Sequence, residues 1–421
     1  MQAPVTSVAG ESTEPSDTAT GLRTAHIVVL VLCLLANVLD GFDLQAIAFT
    51  STRIMAEWAV DPTVMGLIFS AGLLGVGLGS FALSPFADRM GRRASIIAGL
   101  TLVTLGMLAV WGVASPVELT ALRFLTGLGI GILLPSLNTI VSEYAPLRWR
   151  SVAVSIYATG FPIGAALAGI VAPSLIAHRG WRWVYISGGV ASLALLPVVA
   201  AFLRESPEFL RKAVLGRRAT ERPHSFTPFE SGLRRRTVLI SVAFLSLWLT
   251  EFFINNWTPA ILAREGFSAA QAAAAGVMLT VGGMAGTLLV GLFAVRFELT
   301  KVCVAFLSAS FVLTVFFGLS GVQSTVMWVC AVLGFLLFGS AVGLYALVAQ
   351  IYPAEVRATG TGTALAFGRA GAMIGLSAGG YFISLGWPRG SYVSVLAIPL
   401  LAAAVATYAL HVFVPGGEER S

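Results

Sequence analysis

Two short stretches decide how this chain is built: Pro146-Leu-Arg-Trp-Arg150 and Pro353-Ala-Glu-Val-Arg357. Both read Pro-x-x-x-Arg, and they stand 207 residues apart, Arg150 to Arg357. The same offset carries Gly75 to Gly282, Gly79 to Gly286, Arg89 to Arg296, Gly127 to Gly334 and Gly164 to Gly371. Glycine matches come cheaply in a chain with 45 glycines. A Pro and an Arg recurring together, each time at the mouth of a hydrophobic run, do not. One fixed offset over half the chain marks an internal repeat.

The runs around these motifs are too apolar for water. The chain is 57% hydrophobic and only 11% charged, where a soluble domain carries about 25% charged residues. A spanning helix needs about 20 apolar residues. Twelve such runs are present, at 25–48, 63–83, 94–114, 118–141, 151–177, 183–203, 237–262, 269–295, 300–320, 325–351, 358–384 and 391–414. They are continuous rather than alternating, which excludes a membrane β-barrel. The expected fold is therefore an all-α integral membrane protein of twelve transmembrane helices in two pseudo-symmetric six-helix bundles. Residues 1–24 read as a disordered tail, 25–203 and 237–414 as the bundles, 204–236 as the linker and 415–421 as a short C-terminal tail. Parallel repeats of this kind place substrate near the bilayer midplane and rock about it.

Charge gives the orientation. One set of connections holds Arg23, Arg89, Arg92, Arg93, Arg148, Arg150, the 204–236 stretch, Arg296, Lys301, Arg357 and Arg420. The other holds Arg53, Arg179, Arg182, Arg264 and Arg389. The positive-inside rule puts both termini and the linker in the cytoplasm, with the protein multi-pass in the inner (plasma) membrane. The net charge of +6 follows this asymmetry and argues against nucleic acid as a partner.

Ionisable groups inside spans are expensive and read as functional by default. The four histidines, His26, His178, His224 and His411, sit at span ends or in connections. An intramembrane proton carrier must then be a carboxylate. Asp40 and Asp43 lie in the first span, three apart and so on one helix face. Two carboxylates this close cannot both ionise cheaply, which suits a proton carrier near neutral pH. Arg123, in the fourth span, lies at matching depth and can meet either acid. The pair is either a permanent structural ion pair or a proton-sensitive one beside the substrate.

In the seventh span, Glu251 is a second proton site, a hydrogen-bond acceptor for substrate, or helix glue. Asn255 is one turn further along the same face. Arg369, in the eleventh span, suits a carboxylate held by two parallel hydrogen bonds; its bland partners are a backbone carbonyl or a neighbouring acid. Trp257 and Tyr345 are candidates to line a ring pocket, although aromatic residues abound in spans. At the surface, Asp88, Arg89, Gly91, Arg92 and Arg93 read as a gate or as a basic loop that fixes topology. Arg150 and Arg357 are expected to work with it. The cysteines, Cys33, Cys303 and Cys330, read as small buried hydrophobes. Nothing suggests a disulfide, metal site, cofactor loop or nucleophile–base pair, so no enzyme is expected.

On these residues the chain resembles the major facilitator superfamily. Asp88-Arg-Met-Gly-Arg-Arg93 resembles its signature loop, with Ser84 in place of the usual leading glycine. Arg123-Phe-Leu-Thr-Gly127 resembles its fourth-helix motif, and Arg204-Glu-Ser-Pro207 the end of the sixth helix in sugar-porter-like branches. Asp40-Gly-Phe-Asp43 resembles the aromatic acid:proton symporter family. So do Ala158-Thr-Gly-Phe-Pro162-Ile-Gly164, Tyr352-Pro-x-x-x-Arg357-Ala-Thr-Gly360 and Gly368-Arg-Ala-Gly371. The resemblance implies a secondary transporter taking up a benzoate-like or hydroxylated aromatic acid with protons by alternating access. It also implies that Asp40 and Asp43 are needed for transport and Asp88 to Arg93 for gating. Ala341 and Tyr345 stand where the family would lead one to expect Gln and Asn, which implies a shifted substrate range. A monomer is expected. The competing expectations are a proton-coupled sugar or drug carrier, disfavoured by the buried arginines, and a non-transporting membrane sensor.

Overall fold

The computed structural model describes residues 24–83, 90–206, 209–211, 233–319, 323–352 and 354–413. Twelve long helices run through them. The first half holds α1 (Thr24–Trp58), α2 (Pro62–Leu78, closing in a π-helical turn, Gly79–Leu83), α3 (Arg92–Ala109) and α4 (Pro116–Tyr144). It continues with α5, in two segments (Arg150–Ala158 and Gly160–Arg179), and α6 (Arg182–Phe202). The second half holds α7 (Arg234–Arg264), α8 (Ala269–Arg296), α9 (Leu299–Leu319), α10 (Gln323–Ile351), α11 (Ala354–Ser384) and α12 (Arg389–Phe413). Among the described residues, eleven spans are long and apolar enough to cross a membrane. The remaining helix, α11, is 31 residues long but rich in Gly, Thr and Ser. It packs on α7 and α2, so protein rather than lipid covers much of it.

The sequence sets the helix ends by ordinary capping. Asp61 accepts from the Thr63 N–H at 2.8 Å, with Pro62 opening α2. Ser268 and Gln271 form a reciprocal capping box at the start of α8, satisfying donors that have no partner within the helix. The first helix runs ten residues past the 25–48 run expected, to Trp58. Its extra turns are held by Glu57, which accepts from the Trp181 indole at 2.6 Å and the Arg182 guanidinium at 2.7 Å.

The repeat is a repeat of backbone contacts. Within the first half α1 packs on α5, α2 on α4 and α3 on α6; within the second, α7 packs on α11, α8 on α10 and α9 on α12. A Cβ at Gly75 would collide with the Phe124 carbonyl, and one at Gly282 with the Ala331 carbonyl. A Cβ at Gly164 would meet the Val38 carbonyl, and one at Gly371 the Leu245 carbonyl. Each pair of neighbours is again 207 apart. Close helix approach in lipid needs small residues at the seam, and that requirement preserves the glycine spacing.

The halves are fastened towards the end of the bundle away from the termini, called here the far end. Thr63 donates to Ser384 Oγ at 3.0 Å, and Ser70 lies 3.0 Å from Ser377 Oγ and donates to the Met373 carbonyl at 3.1 Å. Gly66 and Gly380 let α2 and α11 touch backbone to backbone. Deeper in, Gln45 and Asn255 join α1 to α7: Gln45 Nε2 donates to the Asn255 carbonyl at 3.1 Å, and Asn255 Nδ2 to Gln45 Oε1 at 3.2 Å. Towards the terminal end, α4 makes no comparable contact with α10 or α11 among the described residues.

Candidate functional site

Two clusters of buried polar groups lie below the Gln45–Asn255 pair, one in each half. The first is built on α1. Gly41 stands between the two acids because a Cβ there would collide with the Phe161 carbonyl of α5. Pro162 removes one helix donor, and α5 breaks at Thr159. Asn37 takes up the Tyr157 carbonyl at 2.8 Å. This close seam fixes Asp40 and Asp43 inside the bundle, with 1% and 0% of their surface exposed.

Arg123 of α4 reaches Asp43. Its Nη1 lies 2.8 Å from Asp43 Oδ1, and its Nη2 donates to the Asp43 carbonyl at 3.3 Å. Gly72 of α2 lies beside the guanidinium, where a Cβ would be in ordinary van der Waals contact. Tyr185 is within electrostatic reach and shares a 3.2 Å hydrogen bond with Thr50. Desolvating two charges costs several kcal/mol each, so such a pair holds only with good geometry. Asp40 differs: both of its oxygens are buried without a hydrogen-bond partner, and Asp43 Oδ2 is also unpartnered.

The second cluster is built on α7, α10 and α11. Phe244, Trp248 and Glu251 recur at helical spacing on one face of α7. Phe244 packs edge-on against Trp248 (5.7 Å between centroids) and Tyr345 (5.3 Å), and Trp248 lies 6.4 Å from Tyr345. Gly368 lets α11 approach, since a Cβ there would sit 2.6 Å from the Trp248 ring. The next residue, Arg369, donates to the Val76 carbonyl of α2 at 3.3 Å and pairs with no carboxylate among the described residues. A guanidinium has five donors, so most of its capacity is unspent. Tyr345 lies within electrostatic reach of both Arg369 and Glu251. Glu251 is 7% exposed and its Oε2 has no partner.

The other expected residues fall elsewhere. Trp257 is fully buried, donates to the Leu376 carbonyl at 3.0 Å and packs edge-on against Phe69; this places it in the seam that closes the far end. Asn255 is engaged with Gln45. Asp88 and Arg89 lie outside the described residues. Gly91 precedes α3 at φ 97°, a left-handed backbone that suits glycine. Glu205 sits against it and accepts from the N–H groups of Arg92 at 2.8 Å and Arg93 at 3.2 Å. Arg93 also donates to the Ala200 carbonyl at 2.6 Å. Arg150 opens α5, and Arg357 lies 3.4 Å from the Tyr352 carbonyl. Two residues that the sequence reading gave no site role, Trp248 and Glu205, therefore take central positions. Trp248 was legible as the residue three before Glu251 on the same face. Glu205 is 113 positions from Arg92, and spacing alone gives no sign of that contact.

The chain matches the Major Facilitator Superfamily over residues 33–347. It is 32% identical to the gallate transporter of Pseudomonas putida, over 91% of each chain. It is also 32% identical to the 4-hydroxybenzoate transporter PcaK of Pseudomonas aeruginosa, again over 91% of each. Identity to the 3-(3-hydroxy-phenyl)propionate transporter of Escherichia coli is 34%, over 91% of this chain and 94% of that one. Among solved structures, a bacterial homologue of the lysosomal transporter Spinster superposes with a TM-score of 0.74 at 17% identity, covering 95% of this chain and all of that one. A D-xylose–proton symporter superposes with a TM-score of 0.71 at 19% identity, covering 93% and 98%. Two six-helix halves, the superfamily match and these relatives agree: the chain is a membrane transporter of the Major Facilitator Superfamily, in the group that holds the aromatic acid transporters.

Proposed function

We propose that this transporter imports an aromatic carboxylic acid of the benzoate or hydroxybenzoate class together with protons. The observation that carries this reading is Arg369, a guanidinium that pairs with no carboxylate among the described residues and lies within electrostatic reach of Tyr345, which packs with Trp248 and Phe244. Arg123 is committed to Asp43, so Arg369 is the arginine left to hold the substrate carboxylate by two parallel hydrogen bonds. The aromatic faces hold the ring. The named relatives, which carry gallate and hydroxylated aromatic acids, support the same class.

Asp40 and Asp43 couple transport to protons. Asp40, with no partner for either oxygen, is the carboxyl with room for a proton. Asp43 responds through its pair with Arg123. With both termini in the cytoplasm of the inner membrane, the far end faces outward, and the arrangement described is closed outside and open inside. Gln45, Asn255, Ser70, Ser377 and Trp257 then hold the outer gate. Gly91, Arg92, Arg93 and Glu205 belong to the inner gate, with Asp88, Arg89, Arg150 and Arg357. The carrier works as a monomer of two bundles, 25–203 and 237–414, joined by the 204–236 linker. One monoanion with one proton is electroneutral.

Uptake of labelled benzoate, 4-hydroxybenzoate and glucose into proteoliposomes, with and without an inward proton gradient, tests this reading. Gradient-dependent accumulation of the acids but not of glucose is expected. Gradient-driven glucose accumulation, or no uptake of either acid, overturns it.

A further inference from the structure

Glu251 is a buried acid that neither the anion site nor the proton pair uses. It lies one helical turn beyond Trp248 on the same face of α7, bordering the rings that line the second-half cluster. It is more than nine-tenths buried, and its Oε2 makes no hydrogen bond. No Lys or Arg pairs with it among the described residues, which is not how a carboxylate serving as helix glue is held. Across the cluster it interacts with Tyr345, which also interacts with Arg369. One small cluster thus offers a cation, two aromatic faces and an unsatisfied acceptor.

A monocarboxylate ring would be sorted by that arrangement. Its carboxylate is drawn to Arg369, so the opposite edge of the ring turns towards Glu251. We propose that Glu251 accepts a hydrogen bond from a hydroxyl on the substrate ring and so makes the carrier selective for hydroxylated over unsubstituted aromatic acids. This rests on the aromatic-acid reading above and adds the specificity to it. A ring hydroxyl donates to the carboxyl oxygen that is otherwise left without a partner. An unsubstituted ring leaves the buried oxygen unmet, and sites built around a substrate hydroxyl reject the analogue lacking it.

The test is the ratio of KM values for benzoate and 4-hydroxybenzoate in proteoliposomes, with 3-hydroxybenzoate as a positional control. In the unaltered transporter at least one hydroxybenzoate is favoured over benzoate by roughly tenfold or more. Glu251→Leu removes the acceptor, and the ratio falls towards one because the hydroxybenzoate KM rises more than the benzoate KM. Glu251→Gln keeps a carbonyl acceptor and retains part of the preference, which also covers a Leu variant that fails to fold. A preference unchanged in both variants overturns the assignment. So does a proportional loss for both acids, which marks a structural or proton-carrying Glu251. Uptake of benzoate with no hydroxyl preference in the unaltered protein sinks this inference alone; failure to take up any aromatic acid sinks the underlying reading with it.

Discussion

In the first half, α1 and α4 bury an ion pair, Asp43 with Arg123. At the same positions of the second half stand Thr250 and Cys330. Thr250 donates to the Leu396 carbonyl at 2.6 Å, and Cys330 is a buried free thiol. The converse holds at α11. Arg369 occupies the position that Pro162 takes in α5, so one half has a guanidinium where the other has a proline just past the helix break at Thr159. Tyr345 likewise answers to Asn138. Meanwhile Gly75 and Gly282, or Gly164 and Gly371, meet the carbonyls of equivalent neighbours. The scaffold positions are under the same steric demand in both halves, and the charged positions are not. On the proposed reading, the proton site and the anion site fall in different halves, and rocking of the halves would couple them.

The largest effect is expected at the ion pair. Asp43→Asn leaves Arg123 buried without its counter-charge, at a cost of about 3–5 kcal/mol. Loss of gradient-driven accumulation is expected, measured by uptake of 4-hydroxybenzoate in proteoliposomes. If the variant still concentrates substrate against a gradient, the first half is not the proton half. At the second half, Arg369→Lys keeps the charge but loses the planar fork. Affinity should fall about tenfold or more, since hydrogen bonds to charged groups are worth about 1.5–3 kcal/mol. A KM unchanged in the uptake assay removes Arg369 from the anion site.

The scaffold glycines of the two halves should respond alike. Gly164→Ala and Gly371→Ala each push a methyl group into a backbone carbonyl of the facing helix. Each should cost about 1–3 kcal/mol, read as similar losses of thermal stability in detergent. A variant that is tolerated in one half and ruinous in the other would show that the seams are not equivalent. The smallest effect belongs to the far-end seam. Ser70→Ala removes hydrogen bonds between α2 and α11 worth about 0.5–1.5 kcal/mol each. Labelling of a cysteine introduced at the far end should rise a few-fold; unchanged labelling would mean that these hydroxyls do not hold the seam.

Much of this was legible because lipid constrains sequence strongly. Continuous apolar runs located the helices, and the 207-residue offset located the contact glycines. Depth alone put Arg123 level with the two acids, and the guanidinium lies 2.8 Å from Asp43. What stayed hidden depends on packing between distant segments. No pattern distinguishes Trp257, whose indole is spent on the Leu376 carbonyl, from Trp248, whose ring packs against Gly368. Both are aromatic residues in one apolar helix. Glu205 caps the start of α3 from beyond α6, a contact fixed only by the tertiary fold. The length of α1 was underestimated because its last turns are polar and are held by Trp181 and Arg182.

On the reading proposed above, a proton gradient drives the uptake of an aromatic acid through this scaffold. The most direct measurement is the initial net flux of 4-hydroxybenzoate in proteoliposomes holding equal concentrations inside and out, less that of protein-free vesicles, as the imposed pH difference is stepped from inward to zero to outward. A protein-dependent influx that grows with the inward proton gradient, vanishes at zero and reverses with it is expected. Protein-dependent exchange of label without any gradient-driven net flux would contradict it.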